Sequence, residues 1–290
     1  MTQNMGFKRI LLATDGSGQA DSAVEAAIDL AVLSSARVRV AHVWTLEVHH
    51  RHGIWDVEMR SEAEQLVQKT VERFTAAGVL AEREILLADN GHVAAAIALS
   101  ARQFEPDLVV VGSRGLSDLQ SIFRHSVSHQ IVAALDCPVL VVRQRRPEES
   151  GPVRRILVAI AGGGDVIPAV RAAVAAGLGR DSQVLVAHVA QDIFGAQGFA
   201  YVESDDEIAQ TLGEAVNRLK EEGITADSIV LPSGPVARTV ASLASSWAAD
   251  LIVVGSNRLG DLTGLVLGSV SHALISAAEV PVLIAARAKS

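Results

Sequence analysis

Cysteine is nearly absent: Cys137 is the only one in 290 residues. No intrachain disulfide and no multi-cysteine zinc site can be built from it, which fits a reducing compartment, and Cys137 itself reads as core packing. A basic excess is also missing. The chain has 25 Lys and Arg against 33 Asp and Glu, for a formal charge of −8, with no concentrated basic run. The broad electropositive face that nucleic acid requires is therefore not expected. No apolar run approaches the roughly 20 residues of a membrane span. The start, MTQNMGFKRILLATDGS, enters its apolar run almost at once and lacks the h-region and small-residue cleavage site of a signal peptide. Together these absences predict a cytoplasmic protein that engages neither nucleic acid nor membrane.

What is present is apolar and repeated. Hydrophobic residues make up 49% of the chain, ample for a core, and the length points to two domains. Asp107-Leu108-Val109-Val110-Val111-Gly112-Ser113 recurs 143 positions on as Asp250-Leu251-Ile252-Val253-Val254-Gly255-Ser256. The same offset carries Ser126-Val127-Ser128-His129 onto Ser269-Val270-Ser271-His272, and Pro138-Val139-Leu140 onto Pro281-Val282-Leu283. Arg9-Ile10-Leu11 matches Arg155-Ile156-Leu157 at a slightly different spacing. Such self-similarity means two copies of one domain. The charged, Pro- and Gly-containing stretch from Gln144 to Pro152 reads as the linker. The domains are accordingly placed at 1–146 and 153–290, with the boundary near Gly151.

Within each copy, short β-branched runs alternate with longer Ala-rich segments of helical period, the pattern of βαβ units around a parallel sheet. In the first copy the strands are expected near Arg9 to Thr14, Arg37 to Val43, Ala81 to Leu87, Asp107 to Gly112 and Pro138 to Val142. Runs such as Leu108 to Val111 are apolar on both faces, as central strands covered by helices must be. The fold class is α/β, a duplicated three-layer sandwich with a five-stranded parallel sheet.

The most informative stretch is Gly112-Ser113-Arg114-Gly115, followed at a distance by His125-Ser126-Val127-Ser128 at the opening of a helical pattern. Glycine after a strand lets the chain turn and lets a phosphate approach backbone N–H groups. Ser126 and Ser128 would stand in the first turn of the next helix, where unpaired N–H groups and the helix dipole favour an anion. Two glycines after a strand and a serine N-cap are also ordinary turn and cap chemistry, and on the residues alone both readings stand.

With these residues in place the chain resembles the universal stress protein family, nearly over its whole length and twice. The family signature is Gly-x-x-Gly, nine residues, then Gly-Ser/Thr, with an Asp near the end of the first strand. The resemblance implies strand order 3-2-1-4-5 and binding of ATP, or of ADP or AMP, with or without Mg, at the ends of strands 1 and 4. In the first copy it implies ligand contacts at Ala13, Thr14, Asp15, Val43, Gly112, Arg114, Gly115, His125, Ser126, Val127 and Ser128, with His125 where the family has glycine. In the second copy Gly255, Gly268, Ser269, Val270 and Ser271 retain parts of the pattern, but Arg258 replaces the second glycine and Ala161 stands where the Asp belongs. The first site is thus favoured. The resemblance also implies intrachain domain pairing and a homodimer through the last strands, Pro138 to Val142 and Pro281 to Ala285.

Other candidates have plainer readings. His49-His50-Arg51-His52 has the composition of a metal tract, but with Gly53-Ile54-Trp55 it reads as a solvated loop after strand 2; no metal site is expected. His129 and His272 read as packing, and Glu62, Glu64, Lys69 and Glu72 as a solvated helix face. No Walker A motif, Ser-His-Asp set or paired-carboxylate site can be assembled. The expected function is therefore a stress-response protein that senses or sequesters adenine nucleotide as a binder and not an enzyme, with slow ATP hydrolysis the one turnover left open, should Asp15 or His125 orient a water. The alternative is a nucleotide-free scaffold for dimerisation and protein interaction.

Overall fold

The structure is a computed structural model that describes residues 6–17, 20–49, 53–56, 60–89, 92–113, 127–143, 153–161, 166–177, 181–195, 198–201, 204–255 and 269–286. The chain divides into two compact units, Met1–Ser150 and Gly151–Ser290.

The first unit runs β1 (Arg9–Ala13), α1 (Asp21–Ser34), β2 (Arg37–His49), β3 (Gly53–Asp56), α2 (Arg60–Ala76), β4 (Ala81–Asp89), α3 (Val93–Phe104), β5 (Leu108–Ser113), α4 (Val127–Ala134) and β6 (Val139–Arg143). Its parallel strands lie in the order β4-β2-β1-β5-β6, with Ala13 opposite both Ala41 of β2 and Val111 of β5. The second unit runs β7 (Arg155–Ala159), α5 (Ile167–Gly177), β8 (Gln183–Val189), β9 (Asp192–Gly195), β10 (Gly198–Tyr201), α6 (Asp205–Glu221), β11 (Thr225–Leu231), α7 (Val236–Ser246), β12 (Leu251–Gly255), α8 (Ser269–Ala277) and β13 (Val282–Ala285). Its parallel order, β11-β8-β7-β12-β13, repeats that of the first. The five parallel strands of each unit thus take the order 3-2-1-4-5.

Each unit also carries antiparallel strands that the sequence reading did not foresee. β2 runs on to His49 and folds back as β3, with Leu46 opposite Asp56 and His49 opposite Gly53. In the second unit β9 and β10 pair in the same sense, Asp192 opposite Tyr201 and Gly195 opposite Gly198. The stretch expected as a solvated loop after strand 2 is therefore a hairpin. Val48, Ile54 and Trp55 are β-branched or aromatic residues that suit a strand, and they outweigh the loop character of the histidine-rich tip. Residues 50–52 of that tip lie outside the described residues.

The cores follow the hydrophobic pattern. Ile10, Leu11, Leu12, Leu108, Val109 and Val110 are fully buried in the first unit, and Ile156, Leu157, Val158, Ile252 and Val253 in the second. Such continuous apolar runs suit strands covered on both faces. Helix α1 buries Ala23, Val24, Ala27, Leu30, Ala31 and Ser34, the spacing of one helical stripe, and its small side chains let the helix sit close to the sheet. One charged cluster interrupts the apolar plan: Arg39 bonds Glu82 at 2.6 Å, lies 3.6 Å from Glu84, and places its guanidinium 4.5 Å from the centre of the Phe104 ring. Ser100 donates to Glu84 from α3.

The repeated aspartate of the sequence has a structural task. Asp107 accepts hydrogen bonds from the N–H groups of Lys8 at 2.7 Å and Arg9 at 3.0 Å, and its own N–H donates to the Arg9 carbonyl at 2.9 Å. Asp250 does the same for Arg154 and Arg155, each at 2.8 Å, and its N–H meets the Arg155 carbonyl at 2.8 Å. Each carboxylate clamps the entrance of its unit's first strand to the entrance of the fourth.

Helix α6 begins with a reciprocal cap. The Glu207 N–H donates to Ser204 Oγ at 3.2 Å, while the Glu207 carboxylate accepts from the Ser204 N–H at 2.9 Å. The Ser204 N–H, and after it the Ser204 hydroxyl at 3.0 Å, donate to the Glu207 carboxylate and hold the carboxyl below its ordinary range. Because the folded pKa is depressed, the stabilisation is present above the ordinary glutamate value and is lost as pH falls through the lowered one.

Two outcomes are expected. Asp107→Ala and Asp250→Ala each lower stability by about 1–3 kcal/mol, read as a shift of the urea midpoint at unchanged slope. The stability gap between the native chain and Glu207→Ala narrows on acidification, measured as unfolding curves at neutral and at acid pH.

Candidate functional site

Strand β1 lies between β2 and β5, and the strand order reverses there, with β2 and β4 on one side and β5 and β6 on the other. In open α/β sheets this switch point leaves a crevice beyond the carboxyl ends of the strands. The first residues beyond the ladder are Thr14 and Asp15. Thr14 is buried; its N–H donates to the Ala41 carbonyl at 3.0 Å, and its Oγ1 accepts from the Gly16 N–H at 3.2 Å. Asp15, exposed, accepts at Oδ1 from the Ser17 N–H at 3.0 Å and the Ser17 hydroxyl at 2.7 Å, a local turn of the kind short carboxylates favour. Gly16 closes it at φ +69°, where an added Cβ would stand 1.8 Å from Leu66 Cδ1 of α2. The Ser17 carbonyl then accepts from the Ala20 N–H at 2.8 Å and leads into α1. Val43 lies half-buried on β2, opposite Leu86, two residues beyond the partner of Ala13.

Across the switch point, β5 ends in Gly112 and Ser113, paired with Val142 and Arg143. A Cβ at Gly112 would meet Ala20 Cα at an ordinary 3.6 Å, and one at Gly255 would meet no described atom within 4 Å. Neither position has a positive φ. Among the described residues, packing demands glycine at 16 but not at 112 or 255. Arg114, Gly115, His125 and Ser126 lie outside the described residues; Val127 opens α4 with 40% of its surface exposed, and Ser128 follows in the first turn.

The second unit has the same frame and different chemistry. Ile160 and Ala161 follow β7, so neither the Thr14 hydroxyl nor the Asp15 carboxylate has a counterpart at these positions. Gly255 ends β12; Gly268 and Arg258 lie outside the described residues. Ser269 opens α8 exposed, Val270 is half-buried, and Ser271 is buried to 2% with its Oγ 3.5 Å from the Gly255 carbonyl. Ser271 thus ties the start of α8 to the end of β12. His272 is half-buried on the same helix.

Sequence reasoning missed one pair of residues at these strand ends. His42 of β2 is 4% exposed with its Nδ1 2.9 Å from the Thr14 carbonyl, and His188 of β8 is 3% exposed with its Nδ1 3.1 Å from the Ile160 carbonyl. A signal was available: Val40-Ala41-His42-Val43 recurs as Val186-Ala187-His188-Val189. Among the described residues no group of three or more His, Cys, Asp or Glu is placed to hold a metal, and no helix is long and apolar enough to cross a membrane.

The contrast between the glycines is directly testable. Gly16→Ala should lower stability by about 1–2 kcal/mol, since it forces a left-handed backbone on alanine and drives a methyl into Leu66. Gly112→Ala should leave the thermal midpoint nearly unchanged. Paired melting curves check both.

Comparison with known proteins gives a consistent result. The model of the universal stress protein family matches residues 6–143 and again 152–286. A universal stress protein of Mycobacterium tuberculosis is 27% identical over 290 residues, covering 95% of this chain and 96% of that one. One from Thermus aquaticus is 35% identical over 138 residues, covering 47% of this chain and 99% of its own. Among solved structures, a universal stress protein from Archaeoglobus fulgidus shares the fold at a TM-score of 0.75 and 21% identity, covering 98% of each chain. With two family matches spanning almost its whole length, on two units of the same strand order, the chain belongs to the universal stress protein family.

Proposed function

We propose that the protein binds one adenine nucleotide, with ATP as the first candidate, at the switch point of its first unit, and senses or sequesters it rather than turning it over. The observation that carries this reading is the Asp15 carboxylate, shaped by the Ser17 turn, following β1 where the register sets Ala13 opposite Val111, the residue before Gly112 of β5. A carboxylate at a strand end is an acceptor for ribose hydroxyls. A glycine that packing among the described residues does not require leaves room for a phosphate to reach backbone N–H groups. Asp15, Thr14 and Val43 would hold the adenosine side, and Gly112, Arg114, Gly115, His125, Ser126, Val127 and Ser128 the phosphate side, with Mg accompanying ATP.

The second unit supports a different use. Ala161 offers no carboxylate and Ser271 is engaged with Gly255, so Gly255, Gly268, Ser269 and Val270 serve in this reading as a scaffold for pairing and partner contacts. The same proposal places the protein in the cytoplasm as a homodimer.

Calorimetric titration of ATP into the purified chain, after extraction of any co-purified nucleotide, tests the reading. One site per chain is expected, abolished by Gly115→Arg and retained in Gly268→Arg. Asp15→Ala should weaken binding by roughly tenfold, the cost of about one charged hydrogen bond. Absence of both titration heat and co-purified nucleotide would overturn the proposal.

A further inference from the structure

We infer that His42 is a positioning residue of the first-unit site: its Nδ1–H holds the Thr14 carbonyl and thereby sets the orientation of the Thr14–Asp15 peptide and of the Asp15 carboxylate beyond it. The inference rests on the proposal that Asp15 contacts a nucleotide.

The chemistry of the contact determines its direction. A carbonyl oxygen only accepts, so at 2.9 Å the imidazole must carry its proton on Nδ1. The ring is 4% exposed, so it cannot swing into solvent and exchange this acceptor for water. Its place in the ladder makes the contact important. The paired register of β1 with β2 ends at Ala13 and Ala41, and the Thr14 N–H makes the last bond of that edge, to Ala41. The Thr14 carbonyl belongs to the next peptide plane, the one that carries the Asp15 N–H. Rotating that plane redirects the Asp15 Cα–Cβ bond, and the imidazole holds it. Gly16 N–H to Thr14 Oγ1 and Ser17 to Asp15 Oδ1 then fold the turn onto a peptide already oriented.

The second unit contains the same device without the ligating residue. His188 Nδ1 lies 3.1 Å from the Ile160 carbonyl, and the Ile160 N–H donates to Ala187 at 3.0 Å, but the peptide so held leads to Ala161. The hydrogen bond is therefore a feature of the fold in both units, and only in the first does it aim a carboxylate. His188 is an internal control for the purely structural part of the role.

The experiment compares His42→Leu, His42→Asn, His42→Gln and His188→Leu by ATP calorimetry, with melting curves to establish that each variant is folded. Asn places an amide N–H where Nδ1 stood, whereas Gln places it nearer Nε2. We expect His42→Leu and His42→Gln to weaken ATP binding about tenfold and His42→Asn to recover most of it. His188→Leu should lower the melting midpoint as His42→Leu does and leave ATP affinity unchanged. Unchanged affinity in His42→Leu, equal weakening by His188→Leu, or no recovery in His42→Asn would each overturn the inference. Should the native chain bind no ATP, the nucleotide reading fails on its own. Amide hydrogen exchange at Gly16 and Ser17 then decides the positioning role. Exchange about tenfold faster in His42→Leu, but not in His42→Asn, supports it, and unchanged exchange overturns it.

Discussion

Each unit depends on a single carboxylate that closes the entrance of its sheet. Asp107 reaches back 98 and 99 residues to the N–H groups of Arg9 and Lys8, and Asp250 reaches back 95 and 96 to those of Arg155 and Arg154. Strands 1 and 4 are the central pair of this topology and are far apart in the chain, so their register is not set by any turn. A slip of one residue would swap the side chains of β1 between its two faces, and Ile10, Leu11 and Leu12, all fully buried, would each lose the neighbours they pack against. The clamp removes that freedom at the start of the strands, and the order at their other end follows.

At that other end the register brings Ala13 level with Val111 and so sets Thr14 and Asp15 beside Gly112. The same is true of Ala159 and Val254 in the second unit. What differs is the chemistry placed on the common frame. Threonine and aspartate in one copy become isoleucine and alanine in the other, while the buried histidine beneath the strand end is kept in both. The two copies keep the same supports and differ in the residues that follow the first strand, as a fold that carries different sites allows.

The antiparallel hairpins extend this pattern. Each follows the second strand at a corresponding place, β2 continuing into its pairing with β3 and β8 being followed by the β9–β10 ribbon. Their sequences have little in common: histidines and Trp55 in the first, Phe194, Phe199 and Tyr201 in the second. The place of the antiparallel ribbon in the chain order is shared while its residue types are not.

The sequence alone determined the duplication, the α/β class, the five parallel strands and the prominence of Gly112. All of these are written in local pattern: continuous apolar runs and glycine after a strand, whereas Asp15 was marked by the family resemblance and its turn with Ser17 by the structure. Tertiary structure decided the rest. That Asp107 is a clamp, that Gly16 is required by Leu66 on another helix, that Ser271 turns inward to Gly255, and that His42 grips Thr14 each depend on groups 16 to 99 residues away. The hairpins were hidden because a histidine- and glycine-containing stretch has the composition of a loop, and only pairing with a neighbouring strand makes it a ribbon. Local chemistry is legible one residue at a time, whereas a hydrogen bond between distant segments exists only once the sheet has set their register.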